Sequence, residues 1–281
     1  MNTTKAPPRP AASALSITPL TGSIGARIHG IDLRELADDG LAQLRQALLD
    51  HCLLVVPGQF LQADAQVAFA KRLGTPASYP GVDFGEFGLP NGVLRLVNDG
   101  KGKVITEHWH FDGMYLEQPP AIGILAAQTI PAAGGDTIWS NQYLAFETLS
   151  PGMQALLKTL RCHYVSVRIP KRYENNEAPV FATQPAVRRH PETGRSALYI
   201  GAPDCCQYFE GMTVDESQPL IRFLHAHGQR ADFCYRHIWS PGDVVIWDNR
   251  CTMHYAVHDY GTAPRVMHRV VVKGDTAVAP A

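Results

Sequence analysis

The stretch that decides the fold is EHWHFDGMY, residues 107–115. His110 and Asp112 stand two residues apart in it, among aromatic side chains. As a strand it turns both to one face, because successive side chains alternate with period two. One imidazole nitrogen and one carboxylate oxygen on a stiff strand make half of a metal site. A second histidine from elsewhere would complete the two-histidine, one-carboxylate facial triad that leaves positions open on non-haem iron(II). A lone His-x-Asp is weak, so the surrounding chain has to supply the context. His108 shares the parity of His110, but a facial triad takes only two histidines, and His108 is read as a neighbour of the site.

On the C-terminal side of this stretch, PPAIGILAAQTI (119–130) reads as a strand entered through prolines, and PAAGGDTIWSNQY (131–143) as a turn plus strand. YLAFETLSPGMQALLKTL (143–160) is helical on both sides of Ser150-Pro151, with Ser150 as N-cap and Pro151 at the first helical position. Residues 167–198 are polar, carry RIPKRYENNEAP, and read as a surface excursion or lid whose charges are solvated. RSALYIG (195–201) is a strand. TVDESQPLIRFLHAHG (213–228) is a helix capped by Thr213 or Asp215 and stopped by Gly228. DFCYRHIW, PGDVVIWDNR and PRVMHRVVVKGD are short strands broken by Pro-Gly and Asp-Asn turns.

On the N-terminal side, residues 15–33 predict a small strand pair and residues 41–52 a helix leading into the buried strand LLVVPG. Residues 62–74 form a second helix stopped by Gly74, and an irregular Gly-rich segment up to 105 is a candidate active-site loop. Short strands dominate the centre and end, with helices early or inserted. That pattern predicts a mainly β domain with peripheral helices, a β-sandwich or jelly roll, spanning 15–275 between loose tails at 1–14 and 276–281. There is no G-x-G-x-x-G after a strand, no P-loop and no G-x-S-x-G, so the nucleotide and hydrolase signatures are missing.

The chain has 281 residues, 45% hydrophobic and 18% charged, with formal net charge −1 and mean hydropathy −0.12. With no basic block, nucleic acid and anionic membrane are poor partners, and no apolar run reaches the roughly 20 residues of a bilayer span. The first residues lack the apolar core of a signal peptide. Cys52, Cys162, Cys205, Cys206, Cys234 and Cys251 form no CxxC pair and read as reduced thiols of a cytoplasmic protein.

The second half of the site lies in GDVVIWDNRCTMHYAVHDY (242–260), where His254 follows a buried strand and an Asp-Asn turn. Asp136, Asp248 and Asn249 read as turn residues that fix the strands. In PRVMHRVVVKGD, Arg265 and Arg269 are four apart on one strand and share a face with Met267. Inward-pointing arginines are costly unless they meet anions, and a guanidinium matches a carboxylate in bidentate geometry. Two of them beside a metal triad imply two anionic molecules, or one doubly anionic molecule.

These motifs, WHFD (109–112), GGDT (134–137), WDNRCTMHYA (247–256) and RVMHR (265–269), stand in one order along the chain. In that order, from about Leu15 to Asp275, the chain resembles the taurine dioxygenase (TauD/TfdA-type) family of iron(II)- and 2-oxoglutarate-dependent oxygenases. The family also includes aryloxyalkanoate and alkylsulfate enzymes. The resemblance implies a double-stranded β-helix (cupin-like) with Fe(II) held by His110, Asp112 and His254. It implies that Thr137 and Arg265 grip the distal carboxylate of 2-oxoglutarate and that Arg269 faces the anion of the primary substrate. Three protein ligands leave room for a chelating 2-oxo acid and O2, and the implied reaction is hydroxylation with release of succinate and CO2. Related halogenases replace the carboxylate ligand with a small residue; Asp112 is kept here, which favours hydroxylation.

Where taurine enzymes of the family carry a sulfonate-binding histidine, this chain reads TPASYP, and Tyr79 stands in its place. A phenol donates a hydrogen bond but carries no positive charge near neutral pH. A carboxylate substrate is therefore favoured over taurine, with an alkylsulfate or aryloxyalkanoate as alternative. His258 is a second candidate substrate contact. A histidine at its spacing also occurs in isonitrile-forming relatives, whose tyrosine cluster is missing here. Desaturation, or a metal-binding barrel with no catalysis, are the remaining alternatives. The family implies a homo-oligomer, a dimer or tetramer.

Overall fold

The computed structural model describes residues 14–77, 92–98, 107–166 and 180–280. At its centre Val244–Asp248 (β14) pairs antiparallel with Leu53–Val56 (β3) on one side and Ile122–Thr129 (β6) on the other. All three are nearly continuous apolar runs, as strands covered on both faces must be. Beyond β6 lies Arg265–Val272 (β16), which also pairs with Leu94–Asn98 (β5) and Pro76–Ala77 (β4). Beyond β3 lie Ala26–His29 (β2) and Ser16–Pro19 (β1), the small antiparallel pair expected from residues 15–33.

Period-two alternation sorts the side chains of this sheet. Leu54, Val56, Ile124, Ile246, Val270 and Val272 face one way and pack against Asp38–His51 (α1) and Ala63–Leu73 (α2). Gly74 caps α2, as expected. Leu53, Val55, Leu125, Val245, Trp247 and Met267 face the other way, toward Trp139 of Thr137–Asn141 (β7). β7 is the middle strand of a second sheet, flanked by Cys234–His237 (β13) and Thr252–Ala256 (β15). The two sheets close on an aromatic layer and form the predicted jelly roll. Each fully buried Leu, Ile or Val contributes roughly 1.5–3 kcal/mol to that closure. Arg265 and Arg269 share the parity of Met267, so the strand carries two guanidiniums into the interlayer.

The inserted helices begin at side-chain caps, of which Ser150 and Thr213 were expected. Asn141 caps Gln142–Glu147 (α3), and Ser150 caps Pro151–Thr159 (α4), with Pro151 at the first helical position. For Val214–His227 (α5) the structure selects Thr213, whose capping box with Glu216 satisfies both orphan backbone N–H groups.

Four expectations need correction. Residues 107–115 do not form a strand: only His110 makes a bridge, to His254, and the chain then turns at Gly113, where φ is +65°. The segment 167–198 is not all surface excursion. Residues 167–179 lie outside the described residues, but Phe181–Pro185 (β9) and Val187–Arg189 (β10) follow, together with Ser196–Leu198 (β11), the strand expected within 195–201. β9 joins a sheet with Arg161–Val165 (β8) and Cys206–Phe209 (β12), and Ala186, Val187 and Leu198 enter the core. The C-terminal tail is docked through Val278, whose carbonyl accepts from Arg189 N at 2.7 Å, with Ala277 buried beside it. The fourth concerns the thiols. Cys162 and Cys206 come together across β8 and β12 as a disulfide, and Cys52, Cys205, Cys234 and Cys251 lie outside it as thiols. The 1–14 tail is described only at Ala14, and no helix among the described residues is long and apolar enough to cross a membrane.

Candidate active site

His254 sits on β15 opposite Trp139 of β7. His110 joins the free side of β15 as a one-residue extension, with His110 N to His254 O at 3.0 Å and His254 N to His110 O at 2.8 Å. Two histidines 144 positions apart are thus fixed side by side, with ring centroids 4.1 Å apart. Asp112 is held by Asn249 of the β14–β15 turn. The Asn249 Oδ1 accepts from Asp112 N at 2.9 Å, and its Nδ2 donates to Asp112 O at 3.1 Å and to Pro120 O at 2.8 Å. Both amide ends of one buried side chain are spent on setting the backbone from which the carboxylate projects.

The Nε2 atoms of His110 and His254 lie 3.8 and 3.7 Å from Asp112 Oδ1, longer than hydrogen bonds. The three donor atoms lie within 4.8 Å of one another. His110 Nδ1 engages the His108 carbonyl at 2.7 Å, which assigns the ring proton to Nδ1 and leaves the Nε2 lone pair for a metal. Burial, reinforced by the neighbouring His254, lowers the His110 pKa to about 3. Burial likewise lowers His254 to about 4. Burial pushes Asp112 up, but Arg269 and the two histidines overcome it and hold the carboxyl below its usual range. Two neutral imidazoles and one ionised carboxylate are the protonation states a divalent metal requires. The donor set fits the facial arrangement of non-haem iron(II).

Arg269 forms an ion pair with Asp112 Oδ2 through Nη2. The guanidinium expected to face a substrate anion therefore already touches the carboxylate of the triad. Arg265 is anchored differently, through Nε to the Gly135 carbonyl at 3.0 Å and under the Tyr260 ring, 5.9 Å from its centroid. Its side chain lies so close to Gly135 that a Cβ there would stand 3.1 Å from Arg265 Cδ. Burial disfavours its charge, and among the described residues no carboxylate pairs with it. Thr137, two residues past Gly135, is buried, and its hydroxyl accepts from Trp239 Nε1 at 3.0 Å.

The structure therefore gathers His110, Asp112, His254 and Arg269 at one point. Thr137 and Arg265 join the same interlayer by way of β7 and β16. His258 is not one of the three donors: its Nδ1 contacts Glu107 Oε1 and its Nε2 meets the Gly261 carbonyl at 3.2 Å. Tyr79 lies outside the described residues. His108 stacks on the His110 ring, as expected of a neighbour. Asp136 accepts from Arg236 Nε at 2.6 Å and Asp248 from Arg250, so both fix turns. Sequence reasoning missed the indole wall: Trp139 stacks on His254 at 6.4 Å, Trp247 lies 5.1 Å from it, and Trp239 holds Thr137. Trp139 shares the strand parity of Thr137, and that is the available signal.

Residues 16–271 match the model of the family described as "Taurine catabolism dioxygenase TauD, TfdA family". An alpha-ketoglutarate-dependent sulfate ester dioxygenase of Pseudomonas putida is 34% identical over 96% of this chain and 93% of its own. An (S)-phenoxypropionate/alpha-ketoglutarate-dioxygenase of Sphingobium herbicidovorans is 32% identical over 94% and 96%. The crystal structure of a taurine dioxygenase from Burkholderia xenovorans superposes with a TM-score of 0.82 at 33% identity, covering 95% of this chain and 94% of that one. With its jelly roll and its His-x-Asp and distant His in place, the chain belongs to the TauD, TfdA dioxygenase family.

Proposed function

We propose that the protein is an iron(II)- and 2-oxoglutarate-dependent dioxygenase that hydroxylates a small anionic substrate. What supports this reading is Arg265, a buried guanidinium on the same strand face as Arg269, which reaches Asp112 of the His110–Asp112–His254 cluster; among the described residues no carboxylate forms an ion pair with Arg265. Burial outweighs Tyr260 and Asp136, which favour its charge. A buried charge with no ion-pair partner costs several kcal/mol, and an anionic ligand would supply that partner. A five-carbon 2-oxo diacid suits the arrangement, with its oxo-acid end toward the metal and its far carboxylate on Arg265 and Thr137.

His110, Asp112 and His254 would hold the iron, which when bound activates O2 at the expense of 2-oxoglutarate, giving succinate and CO2. The protein's own residues position and exclude. Asn249 fixes the direction of Asp112, and Arg269 secures its second oxygen. Trp139, Trp247 and Met267 keep water from the interlayer behind His254. In this reading Arg269, paired with Asp112, also faces the anion of the primary substrate.

A carboxylate is the favoured substrate anion, and a sulfate ester is the second reading. The P. putida relative, 34% identical, is named for sulfate esters, and the phenoxypropionate enzyme, 32% identical, is named for a carboxylate. The deciding experiment loads the protein with iron(II) without oxygen, adds 2-oxoglutarate, and looks for the weak visible charge-transfer band of a chelated 2-oxo acid. Aryloxyalkanoates, alkyl sulfates, sulfonates and fatty acids are then screened for oxygen-dependent succinate release. Iron binding without the band would leave a metal-binding barrel and sink the oxygenase reading.

A further inference from the structure

We infer that Trp239 is a positioning residue for the 2-oxo acid: by donating its indole N–H to the Thr137 oxygen, it turns that hydroxyl into a fixed donor toward the acid's distal carboxylate. The inference rests on the proposed function and deepens it. A threonine hydroxyl has one proton and two lone pairs, and alone it can rotate to donate or accept. An indole N–H can only donate. With Trp239 Nε1 at 3.0 Å occupying one lone pair, the Thr137 proton must point away from Trp239. Trp239 is the only hydrogen-bond partner of that hydroxyl among the described residues, so the proton is left for a ligand. A carboxylate, which only accepts, is matched by that O–H; a group presenting only N–H would leave the proton unused and would have to take the one remaining lone pair.

The surrounding geometry makes the direction rigid. β13 ends at His237, directly across from Thr137, and Trp239 follows two residues later. The His237 ring meets Trp239 edge-on with centroids 4.6 Å apart, and Trp139 meets it at 6.2 Å. His237 is itself held by Asp243 Oδ2 at 3.1 Å and the Tyr235 hydroxyl at 3.1 Å. Arg265 is fixed on the other side through the Gly135 carbonyl, two residues before Thr137. The ligand thus meets one neutral and one charged donor, neither of which has to reorganise on binding.

The test is calorimetric titration of 2-oxoglutarate into Mn(II)-loaded protein, which reads binding without turnover. Trp239→Phe keeps an aromatic ring and removes the N–H. It should raise the 2-oxoglutarate Kd about 3- to 10-fold and leave Mn(II) affinity unchanged. In the Thr137→Val background, which keeps the side-chain shape without a hydroxyl, the same substitution should change Kd little. In the Thr137→Ser background, which restores the hydroxyl, the full effect should return. Equal losses in all three backgrounds, or a parallel loss of Mn(II) binding, would show a packing role and overturn the inference. If Trp239→Phe does not fold, Trp239→Tyr takes its place in the same cycle. Failure of the unaltered protein to bind 2-oxoglutarate would sink the oxygenase reading itself. Binding that is weakened by Arg265→Ala yet indifferent to Trp239→Phe would overturn only the role given to Trp239.

Discussion

Arg265 and His110 separate the two halves of the site, and substitutions at each should fail in different ways. Arg265→Ala should raise the 2-oxoglutarate Kd by roughly 30-fold or more, since a desolvated charge pair is worth about 2–5 kcal/mol, while Mn(II) still binds. Arg265→Lys should recover only part of the loss, because an ammonium cannot reproduce the planar fork. Titration of both variants checks this, and a joint loss of metal binding would show that Arg265 supports the triad instead of the 2-oxo acid. His110→Ala should abolish tight metal binding, read by the same calorimetry; unchanged affinity would remove His110 from the ligand set. His110 and Asp112 could be read from the chain because their spacing is local. The Arg269–Asp112 ion pair could not, since it joins residues on separate segments whose approach depends on how β16 packs.

Among the elements, the β14–β15 turn does the most to hold the site together. Asp248 accepts from Arg250 Nε at 2.9 Å and from Nη2 at 2.6 Å, and it meets His190 Nε2 at 3.0 Å. Arg250 continues to Glu192, and Glu192 to Arg45 of α1. Burial raises the Asp248 pKa, but the Arg250 and His190 contacts outweigh it and hold the carboxyl well below its usual range. A depressed carboxyl stabilises the fold above its unfolded pKa of about 3.9 and loses that contribution as pH falls toward the folded value. Asp248→Asn should therefore cost about 3–5 kcal/mol near neutral pH, by removing the buried charge partner of Arg250 and leaving it only the more exposed Glu192. In denaturant unfolding, the gap between variant and parent should narrow below about pH 4. A constant gap would show that the charge is not what Asp248 contributes. β6 contributes differently, through a missing side chain: a Cβ on Gly123 would lie 2.1 Å from Trp247 Cζ2. Gly123→Ala should cost about 1–3 kcal/mol by overpacking and displace Trp247 toward His254. A lowered melting temperature together with weaker Mn(II) or 2-oxoglutarate binding would show it.

At the scale of the whole molecule, the metal should act as a clasp. His110 and Asp112 come from a segment held by one bridge and by Asn249, while His254 belongs to the second sheet. An ion bound to all three ties that segment to the barrel and binds only the folded chain. Mn(II) at 100 times its Kd should stabilise the fold by about 2.7 kcal/mol, or roughly 5–10 °C in melting temperature at this size. Thermal melts with and without metal check the figure, and His110→Ala should lose the shift. A shift that survives in that variant would place the stabilising ion elsewhere.

The chain by itself determined whatever is written between near neighbours: the parity that sends Arg265, Met267 and Arg269 to one face, and the caps at Ser150 and Thr213. The interval between His110 and Asp112 belongs with them. Alternation and capping depend on residues two to four apart, so they survive in sequence as periodicity. Where the periodicity is weak, the reading fails. Residues 107–115 read as a strand because of their aromatic content, yet Gly113 turns the chain after one bridge. β9 and β10 are too short and too polar to stand out from a lid, whereas β11 lies within RSALYIG, which reads as a strand. Tertiary structure alone decided that Asn249 clamps Asp112, that Arg269 closes on the same carboxylate, and that Trp239 occupies the Thr137 oxygen. Those contacts join residues more than 100 positions apart, and their geometry is set by the packing of two sheets against each other.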